Sequence, residues 1–191
     1  MSRIILSVSI SLDGYAAGPR VRPEEPMGDR GELLHAWMDG TGPGADIDAR
    51  MMDAINAAAG ATIVGRRTFD LGERFWGGTP WPNTPAFVVT HEPLDDRTTE
   101  NGGRFVFTDL DTAAARAREA AGERDVLVLG PNICQQLLAA GEVDELWLQI
   151  VPVILGGGTP LFDGPPVDLE PIDPPVAGAV THLRLRPAPR S

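Results

Sequence analysis

Residues 125–162, DVLVLGPNICQQLLAAGEVDELWLQIVPVILGGGTPLF, constrain the fold more than any other stretch of the chain. Residues 126–129 are a short apolar run of the kind a strand covered on both faces requires. Gly130 turns the chain, and Pro131 suits a first helical position, where its missing N–H has no intrahelical partner to lose. Ile133, Leu137 and Leu138 then fall on one helical stripe, and Gly141 is placed to end it. Three acids precede a second strand over residues 146–151. Strand, glycine turn, helix and strand make a βαβ unit, for which a right-handed crossover is expected.

Such a unit aims backbone N–H groups out of the helix start at residues 131–134, where an anion can sit. A plain structural turn has the same local pattern, so the rest of the chain must decide. A second strand–glycine–helix junction follows residues 61–64: Gly65, Arg66, Arg67, Thr68 and Phe69. Two guanidiniums at a helix start suit a phosphate, through charge-assisted bonds beside the helix N–H groups. Solvated arginines would give the same string. Residues 3–12 alternate as a central first strand and end in SLDGYAAGP, where small residues let a flat ring approach the backbone.

Several chemistries are excluded by what is missing. All 16 basic residues are arginine, which removes lysine Schiff bases and any Walker A lysine. The single cysteine, Cys134, rules out internal disulfides, multi-cysteine zinc sites and the zinc-deaminase motif. No G-x-G-x-x-G occurs, so an ordinary Rossmann fingerprint is not available. A net charge of −11 argues against nucleic acid and anionic membranes as partners. No apolar run reaches the roughly 18 residues of a membrane span, and the start of the chain carries no signal-peptide pattern, so a cytoplasmic protein is expected. With 191 residues, 42% of them hydrophobic, the whole of 1–191 is read as one domain.

The remaining elements follow from local pattern. Residues 19–47 are irregular around a short helical patch at 32–38, and a long loop of this kind suggests a mobile lid over a site. Residues 48–59 read as a helix ended by Gly60, with Asp48 at its start and Asp53 on a solvated face. Strands are expected at 86–90, ending in Thr90-His91, and at 104–108, followed by a helix capped by Asp111. Residues 181–186 alternate as a last, antiparallel strand. The proline-rich run FWGGTPWPNTP has no assignable role.

Taken together, SLDG, GRRTF, the strand ending in Thr90-His91, LGPNIC and VDELWLQIVPVILGGGTPLF resemble the dihydrofolate-reductase-like superfamily, in family order. The nearest branch is the reductase domain of the riboflavin-biosynthesis deaminase–reductase. The resemblance implies an α/β fold, a three-layer sandwich with a mixed, mostly parallel sheet of about eight strands and helices on both faces. It implies an NADPH-dependent reductase, acting on a ribosylamino-pyrimidine phosphate of riboflavin biosynthesis or on a pterin. A fold-retaining nucleotide-binding protein without turnover is the competing expectation. By the same resemblance NADPH would meet Ala16, Ala17, Gly65, Arg66, Arg67, Thr68, Thr90, His91, Leu129, Gly130, Pro131, Asn132, Ile133 and Cys134. Asp13 and Asp48 would orient the heterocyclic substrate or supply a proton, with water as a competitor. No metal is implied, and a homodimer is. One departure stands out: where the family has two glycines at the second turn, this chain has Leu129 first, whose Cβ and branches are expected to restrict close cofactor approach.

Overall fold

A computed structural model describes residues 2–92 and 94–189. The chain runs β1 (Ile4–Ser11), β2 (Tyr15–Ala17), α1 (Ala45–Ala58), β3 (Ala59–Gly65), α2 (Arg66–Trp76), β4 (Pro85–Val89), β5 (Arg97–Thr98) and β6 (Arg104–Thr108). It continues with α3 (Leu110–Ala121), β7 (Asp125–Leu129), α4 (Pro131–Ala140), β8 (Glu145–Val151), β9 (Thr159–Pro160), β10 (Leu169–Pro171), β11 (Val176–Ala177) and β12 (Thr181–Pro187). The main sheet has the order β10-β12-β8-β1-β7-β3-β4-β6-β5, with β11 added on β12, while β2 and β9 form a separate ribbon. From β8 to β6 the neighbours are parallel, and β12 is antiparallel to β8. The count exceeds the expected eight because β5, β10 and β11 are only two or three residues long and add to the sheet's margins.

Alternation along the parallel strands sorts their side chains into two core layers. Ile4, Leu6, Ile63, Val126 and Val128 face α3 and α4, against Ala113, Ala117, Ile133 and Leu137. On the opposite face, Ile5 and Leu127 meet Ile55 of α1, while Val64, Val88 and Phe105 meet Phe69 of α2. The result is helix, sheet, helix, as expected. The βαβ unit formed by β7, α4 and β8 is present, but β1 is inserted between its two strands and pairs with both.

Three local expectations need correction. The helix expected at 48–59 begins at Ala45, and its last residue, Ala59, already belongs to β3. The α3 cap is Asp109 and not Asp111, because the Asp109 carboxylate accepts the Thr112 N–H at 2.9 Å. Residues 19–44, read as part of an irregular lid at 19–47, carry more order than expected. Leu34 is fully buried and Trp37 nearly so, both in the α1-side core, and two 3-10 turns (Gly31–Leu34 and Ala36–Asp39) hold them there. The segment's base is tied by Gly18 N–H to Met27 C=O and by Asp29 N–H to Pro19 C=O, each 2.8 Å, and by Arg20 and Arg22 paired with Asp29.

Candidate active site

The carboxyl ends of β1, β7, β3 and β4 are consecutive along the sheet, so the loops that leave them share one edge about 15 Å long. Two strand-to-helix junctions stand at its centre. Gly65 ends β3 immediately before α2, and Gly130 is the single residue linking β7 to α4. The two junctions touch through their glycines. A Cβ on Gly65 would lie 2.7 Å from Ile133 Cγ1, in the first turn of α4. A Cβ on Gly130 would overlap Thr68 Oγ1 and lie 3.1 Å from Thr68 Cβ, in the first turn of α2. Gly130 also has φ +100°, a backbone region open to glycine and strained for other residues. Two helix starts are thereby held side by side, each carrying N–H groups with no intrahelical acceptor.

The predicted cofactor residues distribute themselves along this edge. Gly65, Arg66, Arg67, Thr68, Gly130, Pro131, Asn132, Ile133 and Cys134 come together at the paired junctions. Ala16 and Ala17 flank them in β2, which is closed by β9; Gln135 of α4 donates to the Leu161 carbonyl at 3.0 Å, and Leu161 N–H donates to Gly14 C=O at 3.0 Å. Thr90 and His91 lie at the other flank, just beyond β4, with Thr90 N–H bonded to Thr108 C=O.

Several of these residues differ in role from the expectation. The Cys134 N–H already donates to Gly130 C=O, and its side chain is buried in the core, where desolvation pushes the thiol up to about 12. The Ile133 side chain is likewise core, so at α4 the backbone of Asn132 and Ile133 is what faces the edge. Leu129 does not block the turn. It shares a face with Leu127 and Val64, and its side chain packs toward the Phe69 cluster under α2. No cis peptide occurs among the described residues, Leu129–Gly130 included.

The arginines are unequal. Arg66 is already engaged: Nε bonds Asp70 Oδ1 at 2.8 Å and Nη1 bonds Glu92 Oε2 at 2.5 Å. Arg67 is exposed and has no ion-pair partner among the described residues. Glu92 is a residue that sequence reasoning missed; its position next to Thr90-His91 was the available signal. The donor set of two helix starts and two guanidiniums fits an anionic cofactor carrying several phosphates.

The two expected acids are not brought together. Asp13, at the end of β1, accepts the Leu155 and Gly156 N–H groups at 3.1 and 2.8 Å and thereby pins the glycine loop after β8. Hydrogen bonding from Ser11 and from those amides holds its carboxyl below the ordinary range. Asp48 lies three strand positions from β7, above β12, and is only 1% exposed. It bonds His182 Nε2 at 2.8 Å and accepts the Ala179 N–H at 2.9 Å. The Trp37 ring stands edge-on to His182 and donates to Ser9 Oγ at 2.9 Å. Ser9, Gln149 and His182 form one cross-strand row beneath them. Asp48 is therefore a sealed structural anchor of α1. Asp53, expected on a solvated face, is exposed.

Comparison with known proteins agrees with this architecture. An uncharacterized protein of Bacillus subtilis (strain 168), YyaP, is 25% identical over 173 residues, covering 84% of this chain and 80% of its own length. A putative riboflavin biosynthesis protein from Shewanella has the same fold (TM-score 0.71, 21% identity, 99% and 100% of the two chains covered). So does a pyrimidine reductase-like protein from Corynebacterium diphtheriae (0.63, 16%, 99% and 92%). A dihydrofolate reductase from Enterococcus faecalis, complexed with NADP(H), matches at 0.56 with 18% identity and 98% and 96% coverage. With the dihydrofolate-reductase-like fold in place, and with the profile of the RibD C-terminal domain matching residues 2–185, the chain belongs to the RibD C-terminal domain family.

Proposed function

We propose that this protein is an NADPH-dependent reductase of a pyrimidine- or pterin-type heterocycle, with 5-amino-6-(5-phosphoribosylamino)uracil as the leading candidate substrate. The observation that carries the reading is the pair of abutting junctions, Gly65–Thr68 and Gly130–Ile133. Two helix starts with Arg66 and Arg67 beside them make one phosphate-binding edge, and the dihydrofolate reductase of the same fold was solved with NADP(H).

When bound, NADPH supplies the hydride. The chain's task is to bind and orient: Arg67 and the N–H groups of the two helix starts hold phosphate charge, and Gly130 keeps the turn free of a side chain. Ala16 and Ala17 leave the neighbouring flank shallow enough for a flat ring. Asp13 stays ionised at neutral pH and its oxygens already accept two amides, so it is a positioning group for the loop at 154–158 and not the proton donor. Water supplies the proton in this reading.

A second reading, a nucleotide-binding protein without turnover, is favoured by one observation: neither Asp13 nor Asp48 is available as an acid. One experiment separates the two. NADPH fluorescence is titrated with the protein, and consumption at 340 nm is then followed with the ribosylamino-pyrimidine and with dihydropterins. Saturable binding with turnover of one substrate is expected. Binding without consumption of any of them would leave the second reading standing, and absence of binding would refute both.

A further inference from the structure

Arg66 and Glu92 bridge two neighbouring strand ends. Arg66 opens α2 directly after β3, and Glu92 lies three residues past the end of β4, the next parallel strand. Their bond is 2.5 Å, and Asp70, one turn along α2, holds the same guanidinium from its other side at Nε. Glu92 is itself set by the Thr90 hydroxyl, which accepts its N–H at 3.1 Å. The carboxylate is mostly exposed while the Arg66 side chain is about one-third exposed, so the acid lies on the solvent side of the pair.

In Rossmann-type dinucleotide sites, which this chain does not share but whose ribose chemistry is the same, an acid beyond a strand end accepts from the ribose 2′-hydroxyl of NADH. An arginine at that place takes the 2′-phosphate of NADPH instead. This chain has one of each, bonded to each other. We infer that Glu92 is a specificity-determining residue that narrows the discrimination between NADPH and NADH. A 2′-phosphate entering here must displace Glu92 from Arg66 and then remain beside a like charge, whereas a free 2′-hydroxyl meets a carboxylate acceptor. The protein therefore discriminates only weakly between NADPH and NADH, and removing the Glu92 charge strengthens its preference for NADPH. This inference rests on the cofactor reading above.

The test compares the full-length protein with Glu92→Gln, a change at an exposed site that keeps the side chain's size. Dissociation constants are measured by fluorescence and calorimetry for NADPH and NADH, and for the fragments 2′,5′-ADP and 5′-AMP. For the unaltered protein both dinucleotides should bind, within about tenfold of each other. In Glu92→Gln, NADPH and 2′,5′-ADP should tighten by about fivefold to tenfold, from one removed like charge and a released guanidinium, while NADH and 5′-AMP stay level or weaken. If the variant shifts all four ligands equally, or none, the role of Glu92 is overturned and the cofactor reading survives. If neither dinucleotide binds the unaltered protein, both fall together.

Discussion

Replacing Gly130 by alanine tests the idea that the two helix starts are held in register by their glycines. The new Cβ would overlap Thr68 Oγ1 and stand 3.1 Å from Thr68 Cβ, at a half-buried junction. The residue would also retain φ near +100°, which is strained for any L side chain. The backbone strain is about 1–3 kcal/mol, and forced overpacking adds about 1–3 kcal/mol. Gly130→Ala should thus lose about 2–6 kcal/mol of stability. Thr68→Ala removes the overlapping hydroxyl but leaves its own Cβ and the backbone strain. In the double variant, part of the loss should be recovered, with a coupling of about 1–2 kcal/mol. Urea unfolding of the four proteins measures this directly, provided the slope is unchanged and only the midpoint moves. A neutral Gly130→Ala, or losses that simply add, would show that the junctions do not constrain each other.

Other outcomes follow from the same geometry. Arg67→Ala should weaken NADPH by about 1.5–3 kcal/mol in a direct titration, and Arg66→Ala by less, because Arg66 must first leave Asp70 and Glu92. Asp48→Ala should leave the His182 ring and the Ala179 N–H without their buried acceptor and lose about 2–5 kcal/mol in chemical unfolding, with Asp48→Asn losing less. The Cys134 thiol is raised by burial from 9.0 to about 12. The folded state therefore favours its protonated form, and this contribution is complete below pH 9 and is lost as pH rises from about 9 towards about 12. Unfolding curves of Cys134→Ala should lack that component, and thiol reagents should modify the native protein only as fast as it opens.

What was legible in the sequence was local and periodic. The apolar run at 126–129, the turn at Gly130 and the stripe through Ile133 and Leu137 gave β7 and α4 nearly to the residue, since each depends on neighbours within one turn. GRRTF marked the second junction for the same reason. What stayed hidden depends on partners far along the chain. Asp48 looks like a helix-start acid, and nothing near it announces His182, 134 residues away and on the antiparallel strand that the helix covers. The Arg66–Glu92 pair spans 26 residues and exists only because β3 and β4 are neighbours. Residues 19–44 read as a lid because their glycines and prolines are evident, while the core that buries Leu34 and Trp37 also draws on distant elements, Ile55 of α1 and, against the Trp37 ring, His182 of β12. Leu129 read as an obstruction because a sequence does not reveal which face of a strand its last side chain takes; the register with β3 turns it toward Phe69.

The central claim, that dinucleotide phosphates are held at the β3–α2 and β7–α4 junctions, is tested most directly by amide hydrogen exchange with and without saturating NADPH. Free protein should exchange readily at the starts of α2 and α4, where N–H groups lack intrahelical acceptors, whereas the residues around Leu34 and Trp37 should already be protected. Added NADPH should slow exchange in peptides covering 65–69 and 130–134 together, with a smaller effect near 90–92. Protection confined to another face, or to only one of the two junctions, would contradict the account.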